Sequence, residues 1–443
     1  MKIIDIKLQT IKRLAGFSRF TTLLLLIVLF TPQCKEEKIN ARNNLGDKKI
    51  DNVAYVTLAD SFFVDLDVAQ IYAEHMDAAD TSYHGEEERE IESVYPIEDE
   101  EEIPCMWVFN YEGGGWLILS ADYRCEPILA FASIGSFAPD TIPGGLEMWI
   151  DASVESINFL RSGDHDNTPE GVYAWQTEQT RNNLLPHLVG KPSLPRITGY
   201  SSPCPSYTQV KGPLLLTEWG QGCTYNNNTS TCSSGGVCGH KWAGCVAVAV
   251  GQVLHYFNKT SCCTGGYTYS SMPLNHGNSY LSGFLKQVGD QVNMDYGCDK
   301  SGASWNDYKN IFTVWYDYSN SDNGNYNSST VISNILNNKP VVLNGCRVQT
   351  STNKKWWQFW KPKYNYEHGH AWVCDGVTSK NNCGLFTYEL FHMNWGWHEV
   401  DSTTLLPDPD DNDYNGWYRY TDWTIPNGRN YKYCNNMVYN LNP

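Results

Sequence analysis

A cysteine at the mouth of an apolar helix is the residue in this chain best placed to act as a nucleophile. Cys245 follows Trp242, Ala243 and Gly244 and opens a run in which Val246, Ala249, Val250, Val253, Leu254 and Phe257 recur at helical spacing. That period predicts a helix with one buried face, and Gly244 lets the backbone turn sharply into it. Cys245 would then sit on backbone N–H groups that no intrahelical carbonyl satisfies. Those amides and the helix dipole favour thiolate over thiol, and the same amides can hold an oxyanion formed at an attacked carbonyl. A cysteine in this position is also a common core residue, so the thiol needs a partner before it means chemistry.

The partner is an imidazole, usually distant in sequence, that stabilises the thiolate and later protonates a leaving group. His370 lies in Gly369-His370-Ala371-Trp372-Val373-Cys374-Asp375-Gly376, which reads as a strand entered through glycine and closed by an Asp-Gly turn. Gly369 leaves room beside the ring. Leu385 to Trp397 reads as the returning strand of a hairpin, with Asn394 and Trp395 near its end. An asparagine there can orient the imidazole, and the neighbouring indole can shield that hydrogen bond from water. Alone, His370 reads as a packed strand residue and Asn394 as a turn residue; the combination carries the argument.

In this order the blocks resemble the streptopain family of papain-like cysteine peptidases of bacteria. Thr217-Glu218-Trp219-Gly220-Gln221-Gly222-Cys223-Thr224-Tyr225-Asn226 is similar to the block upstream of the family's nucleophile, with Thr224 where proline is usual. Gly244-Cys245-Val246-Ala247 is similar to the nucleophile block. Lys339-Pro340-Val341-Val342 and Gly369-His370-Ala371-Trp372-Val373 resemble the strand pair bearing the histidine. Asn394-Trp395-Gly396-Trp397 and Asn415-Gly416-Trp417-Tyr418 resemble the downstream aromatic and closing elements. Trp107 to Arg124, then Pro127 to Ala130, resemble the family's inhibitory pro-domain.

The resemblance implies an α+β molecule: an α+β inhibitory pro-domain ahead of a papain-like, two-part catalytic domain in which a nucleophile helix packs against an antiparallel sheet. It implies Cys245 as nucleophile, His370 as general acid/base, Asn394 as its orienting residue, and Gln221 as the side-chain donor of the oxyanion hole beside the Cys245 amide. Trp395, Trp397, Gly369 and Gly244 would line the substrate cleft. No metal or organic cofactor is implied. The partners would be protein or peptide substrates and the chain's own pro-domain as intramolecular inhibitor. The chain departs from the family at His398-Glu399, where glycine is usual, and in an acidic stretch from Pro407 to Tyr414.

The N-terminus reads as an export signal. Lys2, Lys7, Lys12, Arg13 and Arg19 precede an apolar run from Leu23 to Phe30 that is too short to span a bilayer. Cys34 follows where a bacterial lipoprotein is cleaved and acylated, and Lys35-Glu36-Glu37 resembles a surface-directing tag. The expected organisation is a signal peptide over 1–33, a lipid-attached tether over 34–54, the pro-domain over 55–160, a linker and processing region over 161–195 and the peptidase over 196–443. The protein would then be exported, as an outer-membrane lipoprotein facing the exterior or in secreted form. The other reading is a catalytically degenerate surface lipoprotein that binds glycans or proteins on the same scaffold, using its 16 tryptophans and 28 tyrosines as stacking platforms.

A formal charge of -17 argues against a nucleic-acid partner, since phosphate binding needs clustered Lys and Arg. Much of the acidity lies in Glu86 to Glu102, read as a solvated loop of the pro-domain rather than a metal site. Fifteen cysteines in an exported chain suggest disulfides. Cys374 and Cys383 flank a predicted hairpin turn and are candidates for a local bridge. Cys223, Cys232, Cys238 and His240 allow disulfides or zinc; the spacing matches no common zinc finger, which favours disulfides. The stretch from Tyr316 to Thr330, rich in Asn, Ser and Tyr, reads as an exposed loop.

Overall fold

The computed structural model describes residues 33–35, 62–75, 89–138, 142, 144–162, 169–192, 194, 206–233, 236–259, 266–351, 364–382, 385–398, 414–419 and 435–443. In chain order the elements begin with β1 (Gln33–Lys35), α1 (Leu66–His75), β2 (Ile91–Glu98), β3 (Pro104–Tyr111), β4 (Trp116–Ser120), β5 (Ile128–Ala132), α2 (Gly144–Arg161) and α3 (Pro169–Arg181). They continue with β6 (Ser206–Lys211), α4 (Cys245–Phe257), α5 (Ser279–Gln291), β7 (Gly302–Ser304), α6 (Trp305–Tyr308), α7 (Ile311–Trp315), β8 (Asn320–Asn325) and α8 (Ser328–Leu336). The chain closes with β9 (Val341–Ser351), β10 (Tyr364–Asn382), β11 (Leu385–Asn394), β12 (Gly416–Arg419) and β13 (Asn436–Asn442).

Period-two alternation builds the first half. On β3 and β4, Met106, Val108, Trp116 and Ile118 face the apolar stripe of α2 (Leu146, Trp149, Ile150, Ile157). Trp107, Phe109, Tyr111, Leu117 and Leu119 face α1 and α3, where they meet Val68, Tyr72, Val172 and Trp175. The strands are therefore buried on both faces and read as continuous apolar runs.

The second half centres on α4, whose residues from Cys245 to Leu254 are all buried. One side packs on α5 through Leu281, Phe284, Leu285 and Val288, the other on the sheet through Val342, Ala371 and Val373. One antiparallel sheet runs through both halves in the order β2-β3-β4-β5-β12-β11-β10-β9-β13-β8, with β6 added on β10. The junction is β5 on β12, where Phe131 pairs with Trp417 and Ala130 with Tyr418.

Three stretches differ from their sequence reading. Residues 161–195 carry α3 rather than a bare linker: Trp175 is fully buried, edge-on to Tyr72 and Tyr123 at 4.8 and 5.2 Å, and donates its indole N–H to the Cys125 carbonyl at 3.0 Å. Its polar run of Gln, Thr and Glu hid a helix that docks by few apolar residues. The acidic stretch holds β2 from Ile91 to Glu98, paired with β3, and its Asp99–Glu102 end is a turn, where Asp99 accepts from the Glu101 and Ile103 amides. Tyr316 to Thr330 is not an exposed loop, because Tyr316 and Tyr318 are buried and β8 pairs with β13 at the chain's far end. Long-range pairing there overrides the low strand propensity of Asn, Asp and Gly.

The cysteine-rich insert is cross-linked as Cys223–Cys238 and Cys232–Cys298, while His240 bonds the Thr229 carbonyl through Nδ1 at 2.9 Å. Cys374 is a free, buried thiol rather than half of a hairpin bridge, since its side chain points into the core shared by Val377 and Phe391. Its expected partner Cys383 lies outside the described residues.

Candidate active site

Cys245 is the first residue of α4 and only 1% exposed. Gly244 before it has φ 94°, a left-handed value that favours glycine, and a Cβ there would lie 2.7 Å from both Sδ and Cε of Met294. The sharp entry seen in the sequence is thus required twice, by dihedral and by space. The Trp242 and Ala243 amides are tied down by the carbonyls of Gly297 and Gln221 at 3.2 and 3.0 Å.

His370 stands on β10, opposite Gly345 of β9, and is fully buried. Its ring stacks with Trp372 at 5.9 Å and 10° and with Trp397 at 5.9 Å and 18°; Trp395 lies at 6.4 Å. The imidazole Nε2 lies 2.9 Å from the Trp395 carbonyl. A carbonyl only accepts, so Nε2 carries the proton and in the neutral ring Nδ1 is the basic nitrogen. That tautomer suits a base working on a thiol.

Asn394, expected as the orienting residue, spends its side chain elsewhere: Nδ2 donates to the Thr217 carbonyl at 2.8 Å and Oδ1 accepts from Gln252 at 2.9 Å. The His370 bond goes to the main chain of the next residue, Trp395, whose own amide donates to Asn415 Oδ1 at 2.8 Å. Trp395 itself is fully buried.

Gln221 is 1% exposed, and its Nε2 donates to the Gly396 carbonyl at 3.1 Å. The carbonyls of two successive residues, Trp395 and Gly396, therefore bond His370 and Gln221. The same turn abuts the nucleophile helix, because a Cβ on Gly396 would lie 3.0 Å from Val248, three residues after Cys245. Trp242 meets Trp397 edge-on at 5.9 Å, and His398, where the family pattern has glycine, lays its carbonyl against Gly220. Thr224 has φ 69°, a value the proline ring forbids, which accounts for the absence of proline there.

The inhibitor half closes this arrangement from behind. A Cβ on Gly145 of α2 would come within 2.6 Å of His370 Cδ2 and 2.7 Å of the Trp395 indole. Met148, one turn on, meets Gly345, the strand partner of His370. Trp149 donates to the Arg419 carbonyl at 2.9 Å, and Tyr414 donates to the Ala138 carbonyl at 2.8 Å. Sequence reasoning did not find Gly145, Trp372 or the Trp395 carbonyl. Trp372, two residues from His370 on one strand and so on the same face, was the one legible signal.

A cysteine at the mouth of a helix that packs on an antiparallel sheet, a histidine on that sheet and a helix sealing the histidine side are the parts of a papain-like cysteine peptidase fold with an inhibitor domain ahead of it. The Peptidase C10 pattern matches residues 219–282 and 271–401, and the Spi protease inhibitor pattern matches residues 65–157. The chain belongs to this streptopain family and carries its inhibitory pro-domain. It is 22% identical over 349 residues to the thiol protease/hemagglutinin PrtT of Porphyromonas gingivalis, an alignment covering 69% of this chain and 34% of that protein. It is also 22% identical over 341 residues to streptopain of Streptococcus pyogenes serotype M1, covering 67% of this chain and 72% of that one. Among solved structures, prointerpain A of Prevotella intermedia matches with a TM-score of 0.47 and 19% identity, over 78% of this chain and 97% of that chain.

Proposed function

We propose that the chain is an exported cysteine endopeptidase made as a zymogen. The observation that carries this reading is His370, presented by the Trp395 carbonyl in the tautomer that a thiol partner needs, on the sheet against which the Cys245 helix packs. The Cys245 thiolate attacks a peptide carbonyl. The Cys245 amide and Gln221 Nε2 receive the oxyanion; Nε2 has two hydrogens, so one can stay on Gly396. Imidazolium His370 gives its proton to the departing amine, leaving a thioester. Water then attacks the thioester as His370 takes its proton, and the thiolate–imidazolium pair is restored.

Latency follows from α2, whose close fit at Gly145 fixes His370 and Trp395 in a buried box. Export and anchoring rest on the basic and apolar leader and on Cys34. Fatty-acid labelling of the parent, lost in Cys34→Ser, tests the anchor.

Peptide hydrolysis by the activated parent and by Cys245→Ala tests the chemistry. The parent should turn over and the variant should fall by a thousandfold or more, on the order seen when a nucleophile is removed. Equal rates would end the proposal.

A further inference from the structure

A polar residue on the otherwise apolar nucleophile helix joins the three parts of the site. Gln252 is fully buried, and it lies seven residues after Cys245, two turns along the same helix face. Its Oε1 accepts from the Trp219 amide at 3.2 Å, and its Nε2 donates to Asn394 Oδ1 at 2.9 Å. Asn394 Nδ2 in turn donates to the Thr217 carbonyl at 2.8 Å, which closes a ring through the backbone from Thr217 to Trp219. Thr217 and Asn394 are 1% and 3% exposed, so the ring is dry.

Each member lies next to a residue that does chemistry. Trp219 stands two residues before Gln221, Asn394 one before the Trp395 carbonyl that holds His370, and Gln252 on the helix that presents Cys245. We infer that Gln252 is a positioning residue: it fixes the nucleophile helix, the Gln221 segment and the His370-holding turn at one mutual distance. The inference rests on the peptidase reading and deepens it. Apolar packing alone tolerates small slides, whereas an amide ring is directional, because reversing either amide sets donor against donor or acceptor against acceptor. A slide of about 1 Å at such a site costs roughly a hundredfold in rate.

The test uses the full chain after proteolytic removal of its inhibitor half. Gln252→Met keeps length and apolar contact but makes neither bond; Gln252→Glu keeps the acceptor for Trp219 and serves if the first variant fails to fold. For each, kcat and KM on a peptide, the melting temperature and the pH profile of Cys245 alkylation by iodoacetamide, mapped by mass spectrometry, are measured. Gln252→Met should lower kcat about tenfold or more with KM within about twofold, and should weaken alkylation at acidic pH, where the thiolate depends on His370. Gln252→Met/Asn394→Leu should be no slower than the worse single variant, since both cut one ring. A melting temperature that drops while kcat and the alkylation profile stay parental would make Gln252 merely structural and overturn the inference. Single effects that multiply in the double variant would also overturn it. If the parent cleaves no peptide yet its alkylation profile depends on Gln252, the peptidase reading fails and the positioning role stands.

Discussion

The two sides of the proposed site are held in different ways. The nucleophile wall is secured inside the peptidase half: α4 packs on α5, Cys232–Cys298 ties the insert to the loop before β7, and Lys241 Nζ donates to the Tyr296 carbonyl at 3.1 Å. The histidine wall leans on the inhibitor half, through Gly145 and Met148 against His370 and Gly345, and through β5 on β12. The difference teaches where latency resides. Removing the inhibitor should leave the thiol side as it is and release the side that carries His370, Trp395 and Trp397.

The largest expected effect breaks the nucleophile wall alone. Replacing Cys232 and Cys298 by alanine opens a link across 66 residues, which chain entropy values at about 4 kcal/mol at most. Thermal unfolding of the peptidase half should show that loss, while the precursor's latency stays parental. Gly145→Leu acts on the other wall. Its side chain cannot fit beside His370, and overpacking of this kind costs about 1–3 kcal/mol. The precursor should leak activity, by roughly ten- to a hundredfold if the whole cost falls on the closed state, and the activated enzyme, which has lost residue 145, should be unchanged.

Trp149→Phe is milder, removing one bond to the Arg419 carbonyl and costing the docked inhibitor about 1 kcal/mol. Inhibitor release, followed by the denaturant dependence of activity, should shift accordingly. The smallest effect is the pH dependence that Cys105 contributes within the inhibitor half. Burial, partly offset by Arg161, pushes the Cys105 thiol up to about 12 from 9.0. Folded Cys105 thus keeps a proton that the unfolded chain releases, so this contribution is complete below pH 9.0 and declines as pH rises above it. Buried Tyr72 and Tyr123 are pushed upward too and add to the decline above pH 10.0. Cys105→Val should flatten the melting-temperature slope between roughly pH 9 and 10.

Much of this contrast was legible before any coordinates. Apolar spacing after Cys245 gave α4. His370 and Gln221 both bond the Trp395–Gly396 turn, and Gly396 abuts Val248 of the helix that Cys245 opens. Backbone chemistry was not legible: nothing in the letters says that a tryptophan carbonyl holds the imidazole while the adjacent asparagine bonds Gln252 and Thr217. Nor do they show that Gly145 marks a contact, because a glycine reports space only once its neighbour is known. Helix α3 and strands β8 and β13 escaped because docking and long-range pairing, not local propensity, hold them.

The most direct measurement is hydrolysis of an unstructured protein by the parent and by Cys245→Ala, each before and after trypsin cuts away the inhibitor half, with intact masses recorded alongside. The account predicts a silent precursor, a parent that becomes active when the inhibitor mass is lost, and a variant that loses the same mass and stays silent. Activity in processed Cys245→Ala, or a fully processed and folded parent that cleaves nothing, would contradict it.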